Sequence, residues 1–264
     1  MNRILLSYLA AGCSAVAAKA APADDIKAAV QGLSSSANYT WTTTTTNNGG
    51  GGGGGGGRGG FGGPVTGMTQ QDGLTIITRE MNGNQMSTVT MGAKTVRQNQ
   101  DGAWMTNEEM MAQFQNGGGG GGGGGGGRRG RGGFGAMATP IPAKQAADLL
   151  AGVKGDFMIV NGGFSADLTP EAVAPMLTFG RGRRGGGGGG GGDGQTPPAP
   201  ANAKGTVTFW VANGTLTKYE VHVTGTVQGR NGDIDVDRTT STEIKDVGTT
   251  KLNVPPEAMQ KLNG

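Results

Sequence analysis

Hydrophobic and polar positions along this chain fall into short patterned segments separated by stretches with no pattern at all. Residues 24–33 have the spacing of a short amphipathic helix, and residues 38–45 (NYTWTTTT) form a β-branched and aromatic run that predicts a strand. Three further strands are expected at 74–80, 85–91 and 94–98, broken by Asn82-Gly83-Asn84 and by Gly92. A turn at Gln100-Asp101-Gly102 leads to Trp104. Thr106 then stands three residues before Glu109, the spacing of a capping box, which opens a helix running to about residue 115.

The second half repeats the same vocabulary. Residues 143–153 read as a helix, 156–160 and 164–168 as strands paired across Asn161-Gly162-Gly163, and Thr169-Pro170-Glu171 as the start of another short helix. Long strands follow at 206–212, 215–227 and 234–247, until Pro255-Pro256 ends the sheet and 257–262 closes the chain as a helical turn. At Asn213-Gly214, a two-residue turn would put Val207 and Phe209 on one face with Lys218 and Glu220. A three-residue loop with a left-handed bulge at Gly214 instead groups Val207, Phe209 and Val211 with Tyr219, Val221 and Val223. The second register is the expectation, leaving Lys218, Glu220 and His222 on the opposite face with Trp210 and Leu216. The fold class is therefore α+β, mainly β: a curved antiparallel sheet, an open half-barrel, covered by short helices.

Composition explains the unpatterned stretches. Of 264 residues 57 are glycine, and the hydrophobic share of 34% is low for a globular chain. The glycines concentrate in tracts at 49–63, 117–135 and 180–200, each with arginine, and with phenylalanine at Phe61, Phe134 and, just before the third, Phe179. Poly-glycine loses much backbone entropy on ordering and buries no side chain, so these are expected to be three disordered loops inserted in one domain spanning 21–264. Arg58, Arg128, Arg129, Arg131, Arg181, Arg183 and Arg184 all lie in them, so a formal charge of +3 becomes about −4 for the remainder. An acidic body does not suit a nucleic-acid-binding globular face.

The first twenty residues have the form of a signal peptide: Arg3, an apolar run from Ile4 to Val16, and Ala18-Lys19-Ala20 before Ala21-Pro22. The expected location is the periplasm or cell envelope of a bacterium. A second reading makes Cys13, within Leu9-Ala10-Ala11-Gly12-Cys13, a lipidation site. It is the chain's one cysteine, so the domain has no intramolecular disulfide to hold it.

The order of elements resembles the LolA/LppX-like superfamily of bacterial envelope carriers. The segments that carry the likeness are 26–45, 95–105 (TVRQNQDGAWM), 164–177 (FSADLTPEAVAPML) and 205–254, together about half of the chain. The resemblance implies a half-barrel whose apolar face, lidded by helices, holds the acyl chain of a lipid or lipoprotein, with no cofactor. Residues that would line it are Met86, Met91, Met105, Met110, Met158, Val207, Phe209, Val211, Tyr219 and Val221. Methionine suits variable acyl chains, although it equally fills small cores.

Other chemistry is sparsely supported. His222 is the one histidine, which leaves no partner for a His-based triad or metal cluster, so no enzyme is expected. Asp233-Ile234-Asp235-Val236-Asp237 has the opening of a calcium loop, yet Arg238 stands where glycine is required and Ile244 where the bidentate glutamate belongs. A half-exposed strand explains it better. The poly-glycine matches to G-x-G-x-x-G lack a βαβ setting. A rival function remains in the Arg-Gly-Gly-Phe tracts, whose seven arginines would contact anionic polymers, membrane headgroups or nucleic acid in a surface interaction protein.

Overall fold

The computed structural model describes residues 22–48, 63–81, 83–99, 101–116, 141–178, 198–229 and 232–264. The expected leader with Cys13 lies outside them, as do the three tracts apart from Gly63 and residues 198–200.

Helix α1 (Pro22–Ser35) is followed by an up-and-down meander: β1 (Asn38–Asn47), β2 (Val65–Gln70), β3 (Thr75–Met81), β4 (Asn84–Met91), β5 (Lys94–Gln98) and β6 (Trp104–Thr106). Helices α2 (Asn107–Asn116) and α3 (Pro142–Ala151) lead to a second meander. It comprises β7 (Val153–Val160), β8 (Gly163–Leu168), helix α4 (Pro170–Thr178), then β9 (Ala201–Ala212), β10 (Thr215–Gly229) and β11 (Gly232–Lys245). Helix α5 (Pro256–Asn263) closes the chain. The two meanders join where β1 pairs antiparallel with β11, giving one curved, open, eleven-stranded sheet in the order β6-β5-β4-β3-β2-β1-β11-β10-β9-β8-β7.

The capping box forms as expected: the Glu109 amide donates to Thr106 Oγ1 at 3.2 Å, and the Thr106 amide donates to Glu109 Oε2 at 2.9 Å. Strand β2 was not among the expected elements. Its two large apolar residues, Val65 and Met68, face opposite sides of the sheet, so no alternation marks it. Gly67 between them has a packing reason. The Trp41 ring lies directly over it, and a Cβ added there would stand inside that ring.

Two turns differ from expectation. Asn213 and Gly214 have φ of 52° and 74°, a two-residue type I′ turn, and not a three-residue loop. The facing of Phe209 with Tyr219 and of Val207 with Val221 is nevertheless as expected, because the extra residue is a bulge between Leu216 and Lys218. That bulge turns Leu216 into the core, fully buried, instead of leaving it beside Lys218. Asn161 and Gly162 (φ 50° and 76°) likewise make a two-residue turn, with Gly163 already paired to Val160.

Two cores result, one on each face. Helices α1, α3 and α4 cover the face called inner below, where Ile26, Leu33, Leu149, Val173 and Leu177 pack on Val207, Phe209, Tyr219, Val221 and Trp41. Burial of each such side chain contributes about 1.5–3 kcal/mol. Helix α4 fits closely because Gly205 and Gly225 leave room: an added Cβ would lie 2.7 Å from Val173 Cγ2 and 2.6 Å from Leu177 Cδ1. On the outer face of the first meander, Leu74, Val89, Val96 and Trp104 pack against Ala258 and Leu262 of α5.

Candidate functional site

Antiparallel register sets which side chains share a row across the sheet, and two adjacent inner rows have the same composition profile. One runs Met105–Arg97–Thr88–Ile77–Gly67–Trp41–Ile244, from β6 to β11. The next runs Met86–Arg79–Val65–Thr43–Thr242–Tyr219–Phe209, from β4 to β9. Each starts with a methionine beside an arginine, crosses threonine and aliphatic side chains, and reaches buried aromatic residues under the helices, Trp41 followed by Ile244 in the first row and Tyr219 with Phe209 in the second. At about 4.8 Å per strand, the stretch from Arg97 to Trp41 is roughly 19 Å and that from Arg79 to Phe209 roughly 24 Å.

Burial follows the same gradient. Met86, Arg79, Val65, Thr43, Met105, Arg97 and Thr88 are half-buried, whereas Thr242, Tyr219 and Phe209 are fully buried. At the sealed end the polar atoms of the aromatic side chains have partners. Tyr219 Oη donates to Gln145 Oε1 at 2.7 Å, Trp41 Nε1 donates to Thr69 Oγ1 at 3.1 Å, and the Ala143 amide donates to Tyr39 Oη at 3.4 Å. Burial raises the phenol pKa of both Tyr39 and Tyr219 above the ordinary value, so both stay neutral.

The cationic end is different. Burial, and then the neighbouring charge of Arg97, lowers the proton affinity of Arg79. The Arg97 Nε is buried with no hydrogen-bond partner among the described residues. Arg238, farther along the inner face of β11, donates to the carbonyl of Met176 in the last turn of α4, so it is engaged as a helix C-cap.

The residues expected to line a lipid site are split by this geometry. Val207, Phe209, Tyr219 and Val221 come together in the sealed core, with Val211 packed against it. Met86 and Met105 lie on the same face but at the cationic end, beside Arg79 and Arg97. Met91 faces the other way and packs on the outer core, Met158 is 68% exposed on edge strand β7, and Met110 is half-buried on α2. The expected arginine contacts at 58, 128, 129, 131, 181, 183 and 184 fall outside the described residues. Sequence reasoning missed Arg79 and Arg97. Alternation within each predicted strand gives the face of each, but that the two lie near one another follows only from the strand pairing.

On the outer face, His222 Nε2 lies 2.9 Å from Asp237 Oδ1, both substantially exposed, and the pairing holds the Asp237 carboxyl below its usual range. Asp233, Asp235 and Asp237 point outward while Ile234 and Val236 point inward, and Ile244 is core at 4% exposure. The aspartates therefore belong to an alternating strand. Two hollows lie beside the inner-face helices. One of about 310 Å³ lies between α1 and α3 beside Val30 and Leu150, and one of about 110 Å³ lies where Leu33, Tyr39, Thr69 and Ile141 meet.

No protein-family model and no curated protein matches the chain. Among solved structures it is similar to the Mycobacterium tuberculosis lipoprotein LppX, at 11% identity over 89% of this chain and 98% of that one, with a TM-score of 0.43. It is also similar to LprF from Mycobacterium bovis, at 9% identity over 90% of this chain and 97% of that one, with a TM-score of 0.42.

Proposed function

We propose that this chain is an exported, non-enzymatic envelope protein that holds the acyl chain of a lipid or lipoprotein along the inner face of its sheet. The observation that carries the reading is the pair of matching rows, graded from half-buried methionine, threonine and aliphatic side chains to a sealed aromatic end. Their length exceeds half of the ~30 Å hydrocarbon thickness of a bilayer, the span of one leaflet's acyl chains. In this reading the chain lies on the half-open face near Ile77, Val65 and Thr43, where it displaces water. A non-catalytic role accords with His222, which is paired with Asp237 on the exposed outer face.

Organic extraction of the purified mature protein followed by lipid mass spectrometry tests the reading, together with titration of a fluorescent fatty acid. Co-purifying lipid or saturable uptake is expected. Absence of both removes the carrier function.

A further inference from the structure

At one end of the sheet two hairpin tips lie side by side. One step beyond the pair formed by Phe164 and Phe209, Gly163 meets Trp210, so the Asn161-Gly162 turn of β7–β8 neighbours the Asn213-Gly214 turn of β9–β10. Neither tip carries charge: residues 157–166 and 205–217 hold no lysine, arginine, aspartate or glutamate, in a chain where such residues make up 16%. The first tip is also apolar where it meets solvent. Met158, Ile159 and Val160 are 68%, 72% and 43% exposed, and they are half of the six large hydrophobic side chains left exposed among the described residues. Single exposed apolar residues need no explanation, whereas three in succession at a turn do.

Their arrangement selects the partner. Ile159 points to the inner face opposite Phe164, while Met158 and Val160, opposite Ser165 and Gly163, point to the outer face. A protein groove laid on one face of the sheet covers one of these sets and leaves the other wet, whereas a lipid interface takes up both at once. Strand addition along the free edge of β7 is disfavoured. The pairing of β7 with β8 is interrupted between Lys154 and Met158, with Gly155 at φ 81° and Asp156 exposed inside the interruption. A bulge and a charge are the devices that keep an edge strand from pairing with another chain.

Trp210 stands just behind the tip. Its indole lies over Gly163, where an added Cβ would be 2.8 Å from the ring, and its Nε1 donates to the Asn161 carbonyl at 3.4 Å. The Lys218 ammonium sits over the same ring, 4.5 Å from its centre. An uncharged apolar tip, then an indole, then a lysine is the order of groups suited to a passage from hydrocarbon through headgroups to water.

We propose that this tip docks the protein on the surface of a lipid bilayer, with Met158, Ile159 and Val160 reaching the acyl boundary and Trp210 lying among the headgroups. The unpaired backbone groups along the edge of β7 keep the insertion shallow, since they need water to bond to. The attraction is apolar, so it extends to zwitterionic lipid and does not need the arginines of the glycine tracts. It is independent of what the inner face holds.

The test is sedimentation of the full mature protein with phosphatidylcholine vesicles. Binding is expected, with little change at high salt, because the contact has no charge pair to screen. Ile159→Asp, at an exposed position, should weaken it at least about tenfold by removing apolar burial and adding a charge at the interface. Met111→Asp, also at an exposed position but on α2, should leave it unchanged. Brominated-acyl lipid should quench emission from the parent and not from Trp210→Phe, whose remaining indoles, Trp41 and Trp104, are buried. No binding to these vesicles overturns the docking site, as does binding that Ile159→Asp leaves intact. Binding confined to anionic vesicles and abolished by salt assigns the contact to cationic segments and overturns it too. A concentration-dependent dimer that Ile159→Asp breaks, without vesicle binding, makes the tip a self-association surface and overturns the membrane contact. Fatty-acid uptake measured without vesicles is a separate readout, so this site and the acyl-chain reading fail separately.

Discussion

Gly67 shows how one absent side chain sets the packing of a whole region. Trp41 occupies the space above it and thereby reaches Thr69, so Gly67→Ala must push the indole aside and break that hydrogen bond. The expected cost is about 1–3 kcal/mol, read from the urea midpoint, with a change in tryptophan emission. An unchanged midpoint and spectrum would mean that the ring does not rest there. The buried tyrosines make a second residue-scale prediction. Their folded pKa values are raised above the unfolded value near 10, so folding keeps protons that the unfolded chain releases once pH passes 10. Stability is therefore full below pH 10 and falls as pH rises, by up to about 1.4 kcal/mol per pH unit for each tyrosine. Tyr219→Phe should flatten that alkaline slope in denaturation curves between pH 9 and 11, while losing the bond to Gln145 at every pH.

Among the elements, the first turn of α2 ties local sequence to tertiary contact, because Glu109 both caps the helix and pairs with Lys261 of α5. These partners depress its carboxyl pKa, Lys261 first and the Thr106 amide second, so their stabilisation is present above about pH 4.5 and lost as pH falls below it. Thr106→Ala should cost about 1 kcal/mol in denaturant titration and speed amide exchange in residues 107–110. Exchange no faster than in the parent would contradict the cap. Such elements were legible in the sequence because their signals are local: an amphipathic spacing, a capping box, proline before a helix, asparagine-glycine turns. Strand β2 was not legible, since Val65 and Met68 face opposite sides and the reason for Gly67 sits on another strand. The bulge at Leu216–Lys218 was equally hidden. Either a longer turn or a bulge places Tyr219 opposite Phe209, and alternation alone does not distinguish them. The candidate site was half legible for the same reason. Aromatic and aliphatic members of the rows stood out, while Arg79 and Arg97 gain meaning only when β3, β4 and β5 are set side by side.

At the scale of the molecule, one continuous sheet carries two separate cores, the larger under α1, α3 and α4 and the smaller under α5. Leu33→Ala and Leu262→Ala strike one core each, and each should cost about 2–5 kcal/mol. With no shared partner, their costs should add within about 0.5 kcal/mol in the double variant, provided unfolding stays two-state. A large departure from additivity would mean that the sheet transmits strain between its faces. Between those cores lies the half-open inner surface on which the functional account depends. Its most direct test is photocrosslinking with a diazirine-bearing fatty acid, followed by residue-level mass spectrometry. Adducts are predicted on inner-face positions of β1 to β4, such as Thr43, Val65, Ile77 and Met86; adducts confined to outer-face positions such as Met91, Met68 or Met259, or none at all, would contradict it.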